Sequence, residues 1–444
     1  MSTVTMGGSQ PWYRSLDANQ WKTLLASNIG WMFDGYETYA LILTVSVALH
    51  QLLLPAQYAQ IPAYAGTIIG ITLLGWGVGG FIGGILADYI GRRRTMILAI
   101  LAYSLTTGLS AFAWDWVSFA LLRFIVGIAI GSEWSTGASM TAEVWPDHAR
   151  GRGAGLMQCG LGIGFFVASL VWLFVSAYGP GAWRIMYLIG VLPALLALWL
   201  RTGVEESHKW EHTNEKRKSA REKKKSGATL AAEDRALTRF TAADLFADPQ
   251  IRKHAIIAFL MSLTTTVAWW GISTWVAPFV AAAADKAGLP PQTWAAYAGM
   301  SYNIGAIIGY VGLGFLADRF GRKPIVMIFF AGALLMTYAL YMWVADLHVL
   351  LLVTAINGFF TLGQYSWMAV WLPELFPTRM RATGMAFAFN APRFIAFLGP
   401  LFAGLLIAQF GGFSKMAVAF SFIYILGFIV VPLLPETKGK PLPA

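Results

Sequence analysis

"GILADYIGRRR" (84–94) returns 230 residues later as "GFLADRFGRKP" (314–324). A second charged stretch, "AEVWPDHARGRG" (142–153), returns as "LPELFPTRMRATG" (372–384), offset by 231. Around them the chain is apolar. Twelve stretches of roughly 20 residues, the length a helix needs to cross a hydrocarbon core, run along it. They fall at about 23–48, 62–87, 93–113, 116–140, 153–177, 183–201, 253–280, 294–317, 323–344, 348–371, 382–408 and 414–434. Each repeated element keeps its place within a set of six, one after the second stretch and one after the fourth. The pattern predicts an all-α membrane protein of twelve transmembrane helices in two six-helix bundles. Their bounds are 1–201 and 253–444, in parallel repeat, joined by a linker loop at 202–252. Duplication of this kind puts a substrate site near the midplane, between halves that rock around it.

Composition agrees with a membrane chain. Hydrophobic residues make up 57%, charged residues 12%, and mean hydropathy is +0.59, outside the soluble range. The first twenty residues hold no apolar signal core, so the first span is expected to act as its own insertion signal. A net charge of +10 raises the question of nucleic acid, and its distribution answers against it. Of 32 Lys and Arg, Lys286 and Lys415 fall in loops of one parity, Arg123 and Arg393 within spans, and Arg184 at a boundary. The remaining 27 lie on the other side. That asymmetry predicts both termini in the cytoplasm, in the cytoplasmic (inner) membrane. The run "KRKSAREKKK" (216–225) reads as a solvated, partly disordered linker that helps fix orientation, with contact to anionic lipid as the alternative.

Catalytic and cofactor signatures are missing from the sequence. The single cysteine, Cys159, allows no intramolecular disulfide and argues against a metal cluster. There is no G-x-x-x-x-G-K-[ST] loop, nucleophile elbow or H-E-x-x-H. No enzyme, cofactor or metal is therefore expected, and ATP-driven transport has no engine here. "GWGVGG" (75–80) fits a dinucleotide pattern but lies inside an apolar span, where close helix packing explains it better.

Ionisable side chains at bilayer depth are costly and normally face a wet cavity or a partner. Asp34 and Glu133 fall near the middle of spans one and four and are the candidates for carrying a proton. Their alternative is a structural ion pair with Arg123 or another buried base. Glu37, one turn from Asp34, reads equally as carrier or as hydrogen-bonded helper. Arg393 lies mid-span in the second half with Asn390 on its face. Its planar fork suits a carboxylate, or else a structural pairing with an acid of the other half. Arg123 is second choice as a ligand. Asn357, Thr361 and Gln364 form a polar stripe on span ten that either lines a cavity or ties helices together. Trp269, Trp270, Trp275, Tyr365 and Trp367 offer stacking surfaces, with ordinary packing as the plainer reading of most. In the repeated loops, the expected pairs are Asp88 with Arg92, Glu143 with Arg150, Asp318 with Arg322, and Glu374 with Arg381. Isolated exposed pairs are worth little, so a gate requires a network.

The G-x-x-x-D-x-x-G-R-[RK] element, at Gly84, Asp88, Gly91, Arg92 and Arg93 and again at Gly314, Asp318, Gly321, Arg322 and Lys323, resembles the signature loop of the major facilitator superfamily. "RFIVG" (123–127) resembles that superfamily's fourth-helix arginine motif. "EESHKW" (205–210) and "PETKG" (435–439) resemble the ends of spans six and twelve in its sugar- and metabolite-carrying branches. Tyr89 departs from the pattern, which usually has Arg, as at Arg319. Asp34-Gly35-Tyr36-Glu37 resembles the acidic first-helix motif of the aromatic-acid and sialic-acid/monocarboxylate proton symporters. "GSEWSTGASMTAEVWP" (131–146) resembles their fourth helix, and Arg381 and Arg393 their basic positions near span eleven. The resemblance implies proton-coupled import of a small organic anion, a mono- or aromatic carboxylate or a sugar acid, by alternating access. Tyr36, Asn357, Gln364 and Asn390 are the further candidate substrate contacts, and a monomer is the expected working unit. The rivals are a sugar or polyol carrier, which "PETKG" favours, and a transporter-like sensor with the basic loop as its signalling element.

Overall fold

Asp17 sets the start of the first long helix. Its carboxylate accepts the Gln20 backbone N–H at 2.7 Å, and the Gln20 side chain accepts the Asp17 N–H at 2.9 Å. This reciprocal cap satisfies two of the donors a helix leaves free at its first turn. Asp115, Asp248 and Asp346 cap later helices, each carboxylate accepting backbone N–H at the helix start.

The computed structural model describes residues 12–227, 229–402, 406 and 409–443. Around the first copy of the repeat lie α1 (Ala18–Leu52), α2 (Ile61–Ile90), α3 (Arg92–Ser110), α4 (Trp116–Val144) and α5 (Arg150–Val175), with α6 (Ala182–Ile189) and α7 (Pro193–Gly203). Three linker helices follow: α8 (His208–Lys225), α9 (Ala232–Thr238) and α10 (Thr241–Ala247). Around the second copy lie α11 (Pro249–Ile272), α12 (Val276–Lys286), α13 (Pro291–Phe320), α14 (Arg322–Tyr338), α15 (Leu347–Thr361) and α16 (Ser366–Trp371). After them come α17 (Arg381–Asn390), α18 (Arg393–Ala396), α19 (Leu398–Leu401), α20 (Phe413–Ser421) and α21 (Ile423–Val430).

Among the described residues there is no strand, and eight helical stretches are long and apolar enough to cross a membrane. The rest of the expected spans are interrupted or polar. Turns at Gly190–Leu192 separate α6 from α7, and at Ala391–Pro392 α17 from α18. α1 is 35 residues long but carries Lys22, Asp34 and Glu37.

Glycines decide how closely α2 approaches its neighbours. Gly75, Gly79 and Gly83 face Phe124, Ile128 and Ser132 of α4, whereas Gly80 and Gly84 face Asn390 and Ala386 of α17. A Cβ on either face would collide, so the glycine run is a two-sided packing surface. α5 crosses α13 in the same way, with Gly155 against Gly314.

The linker departs from its expected disorder. Residues 216–225 belong to α8, and Arg217 and Ala220 are buried. Arg217 donates to the carbonyls of Asp88 (2.5 Å) and Arg379 (2.9 Å), and its guanidinium lies 4.9 Å from the Tyr89 ring centre. Charge density alone suggested a solvated run; the helical period instead turns one Arg of that run onto two free carbonyls and an aromatic face.

Candidate functional site

Two sites emerge along the helices, one at the charged ends and one midway. At the charged end, Asp88 meets Arg92 at 3.2 Å and Asp318 meets Arg322 at 3.4 Å, as expected. The other two expected pairs are exchanged. Glu143 pairs with Arg381 at 2.9 Å rather than with Arg150, and Glu374 pairs with Arg150 at 3.1 Å rather than with Arg381. The reason lies in the helix crossings. α4–α5 and the α16–α17 corner face each other, so each loop's arginine reaches the opposite copy's glutamate. Arg92 also holds Glu143 (3.0 Å), and Arg322 holds Glu374 (2.7 Å). Asp88 accepts the backbone N–H (2.9 Å) and hydroxyl (2.6 Å) of Thr383, across from its own copy. All of these charged side chains are nearly or fully buried, in two clusters, each bridging the two copies, rather than as surface pairs.

The "EESHKW" and "PETKG" ends brace those clusters. Glu206 accepts the N–H groups of Arg92 and Arg93 at the start of α3, and Ser207 bonds Glu143. In the second copy Glu436 accepts those of Arg322 and Lys323 at the start of α14, and Thr437 bonds Glu374 at 2.5 Å. Carboxylates at helix N-termini complete the free donors and complement the dipole. Their environments differ. Burial outweighs these bonds at Glu206 and holds its carboxyl above the usual range. At Glu436 burial acts in the same direction, but four backbone N–H bonds prevail and hold it below.

Midway along the helices, Asp34 and Glu133 are buried within hydrogen-bonding reach of each other. None of their four oxygens has an ordinary donor among the described residues. Gly30, one turn before Asp34, leaves the space that the Glu133 carboxylate fills. Glu37 is placed differently: it is ion-paired with Arg123, whose guanidinium lies 5.1 Å from the Tyr187 ring centre. Arg123 therefore holds Glu37 rather than Asp34.

Arg393 follows the turn that ends α17. The Phe389 carbonyl, freed there, accepts its guanidinium. The cation lies 4.4 Å from the Trp76 ring centre and 4.1 Å from that of Phe389. Trp134 stacks on Phe389 at 3.7 Å and 13°, and Trp31 touches Trp76, Trp134 and Phe389. Since Trp31 shares a helix face with Asp34 and Trp134 follows Glu133, one aromatic layer links the two acids to the cation. Arg393 makes no ion pair among the described residues, and its Nε has no partner. Asn390 donates to Ala386 O (3.0 Å) and leaves its Oδ1 free.

Other candidates point elsewhere. The Tyr36 hydroxyl donates to Met186 O at 3.0 Å. Asn357 bonds Thr337 (3.3 Å), Thr361 bonds Tyr302 (2.6 Å) and Gln364 bonds Tyr424 (2.9 Å), so the polar stripe ties α15 and its turn to α13, α14 and α21. Trp367 donates to Thr265 at 3.0 Å, and Trp269 stacks on Phe165 across the two copies. A small pocket reaches Thr38, Thr72, Trp76, Arg123 and Trp270, with a volume of about 10 Å³. That is room for about one water molecule.

This doubled, cross-bridged helical arrangement has known counterparts. Residues 22–444 match the family described as sugar (and other) transporters. The chain belongs to that family. It is 28% identical over 424 residues, 95% of this chain and 98% of the relative, to a putative metabolite transport protein of Haemophilus influenzae. It is 26% identical over 421 residues, 94% and 95% of the two chains, to the sialic acid transporter of Escherichia coli. The solved structure of the major facilitator proton:xylose symporter bound to 6-bromo-6-deoxy-D-glucose superposes with a TM-score of 0.77 at 21% identity, covering 96% of this chain and 98% of that one. The chain is thus a multi-pass membrane transporter of the major facilitator fold and not an enzyme.

Within this transporter, sequence reading missed the aromatic box. Trp31, Trp76, Trp134 and Phe389 were not singled out. The available signal was the placement of tryptophans beside both acids and inside the glycine run.

Proposed function

We propose that this transporter imports a small organic anion together with protons, by alternating access of two six-helix bundles. The bundles are 1–201 and 253–444, with 202–252 as linker. Twelve spans with both termini in the cytoplasm put the charged clusters on the cytoplasmic side of the inner membrane. A monomer is the working unit, and the proton gradient is the only drive required.

The observation that carries this reading is Arg393, a buried guanidinium with no ion pair among the described residues. A buried charge is expensive unless compensated. A carboxylate arriving in the aromatic box would supply the missing counter-charge and meet the free Nε. Two aromatic rings against the guanidinium favour a planar or partly apolar anion. The E. coli relative, named as a transporter of sialic acid, supports an acidic substrate. Asp34 and Glu133 supply the coupling site. Two carboxyl groups this close, without other donors, hold together only with a proton between them.

A sugar or polyol carrier is the second reading. The family's description and the shared fold of the xylose symporter favour it, but a neutral solute would leave Arg393 uncompensated. The test is binding to the purified protein. Ligands that bind the folded state raise its apparent stability. Benzoate or another monocarboxylate should raise Tm saturably where xylose does not; stabilisation by sugars alone overturns the anion.

A further inference from the structure

The charged end holds a second cavity, away from the aromatic box. Its volume is about 650 Å³, within the range that receives small organic molecules. Lys209, His212 and Lys216 face it from α8, spaced three and four residues apart as one helix face requires. Arg379 faces it from the turn before α17, and Glu233 from α9 is the single acid. Leu442 and Pro443 of the C-terminal tail close one side.

The balance of charge is not settled within the protein. Arg379 is engaged by Asp244 at 2.9 Å. Lys209 and Lys216 make no ion pair among the described residues. Burial, and then the positive charges of Arg381 and Arg150, push the Lys209 ammonium below its ordinary value, with Glu143 opposing. This corner therefore carries surplus positive potential inside a concave wall.

We propose that this cavity binds a phosphate-bearing anion, either a soluble metabolite or a lipid headgroup. Ammonium groups act on phosphate as point charges and need no fixed fork. The ring of walls is what gives the site consequence. It joins the linker, the turn before α17 and the C-terminal tail, which bracket the Glu143–Arg381 pair. A bound anion would hold these segments together and favour the closed charged end. That consequence rests on the gate, whereas the binding does not depend on the transported substrate.

The experiment uses the full-length protein and pyrophosphate as the probe, at constant ionic strength, followed by calorimetry. Saturable binding is expected, weakened at least tenfold by Lys209→Ala with Lys216→Ala. The control pair, Lys224→Ala with Lys225→Ala at the exposed end of α8, should bind as the parent does. If binding is seen only in nanodiscs containing phosphatidylglycerol, and the first double variant abolishes it, the headgroup is the ligand. Equal effects of the two double variants, or no saturable binding in either setting, overturn the site.

Discussion

Glu143 and Arg381 come from opposite copies of the repeat and meet at 2.9 Å with neither side chain exposed. Their counterparts, Glu374 and Arg150, meet at 3.1 Å. Each bridge spans the boundary along which α4–α5 and α16–α17 would part, so opening that end costs both together. A buried ion pair need not stabilise a fold against an apolar replacement. In the proposed alternating-access cycle its worth would be conditional on closure, which would make it a bias between states.

Arg381→Ala should therefore favour the state open at the charged end. Removing one partner of a buried pair costs about 3–5 kcal/mol. Because Arg92 still holds Glu143, we expect about 2 kcal/mol, roughly a 30-fold shift in population. Reactive-cysteine labelling of single sites near Thr383, in a Cys159→Ser background, should rise accordingly. An unchanged labelling rate rejects the gate.

The duplication was legible because the charged loops are short and polar and keep the same Gly, Asp, Glu and Arg positions in both copies. Which arginine meets which glutamate was not. Glu143 and Arg150, seven residues apart, suggest pairing within one loop, but the helix crossings decide otherwise. Asp34 and Glu133 were legible as acids in apolar helices. Their mutual contact required knowing that Gly30 opens a gap between α1 and α4. The helical linker was hidden by composition, since a run of Lys and Arg looks the same whether or not one member is buried.

Tyr89 replaces the family's usual arginine, and its ring lies 4.9 Å from Arg217 and 5.5 Å from Arg221. Its hydroxyl accepts the Thr241 N–H at 3.3 Å. Tyr89→Arg would set a third cation beside two others and remove cation–π contacts of about 0.5–1 kcal/mol each. Trypsin should then cut the 216–225 run several-fold faster, with Tyr89→Phe in between. Cleavage of the arginine variant at the parent rate would show that the linker is held by other contacts.

Arg393→Lys tests the anion clamp. The lysine keeps the charge but cannot donate two parallel bonds or stack as a planar group on the Trp76 and Phe389 rings. Charge-assisted bonds contribute about 1.5–3 kcal/mol, so affinity for a carboxylate should fall roughly 10- to 100-fold. A folded lysine variant with parental affinity removes Arg393 from the substrate site.

Asp34→Asn tests the coupling itself. Asp34 and Glu133 lie together with no other donor among the described residues, and Trp31, Trp134 and Phe389 form one aromatic cluster against which Arg393 rests. An anion on Arg393 adds negative charge to the same enclosure, so its entry is favoured when the acids carry a proton. Release of that proton on the far side would then favour release of the anion. Asparagine imitates the protonated acid at all pH values and cannot discharge it. The variant should lose accumulation driven by an imposed pH difference while retaining exchange of labelled for unlabelled substrate, because exchange needs no net proton cycle. Glu133→Gln should behave similarly, since it interrupts the same pair. Glu37→Gln should differ: it leaves Arg123 buried without its partner, so the loss should appear as lowered Tm rather than as selective uncoupling. Should Asp34→Asn still concentrate substrate in response to a pH difference, the coupled proton resides elsewhere, and Glu133 inherits the role only if its own variant fails to accumulate.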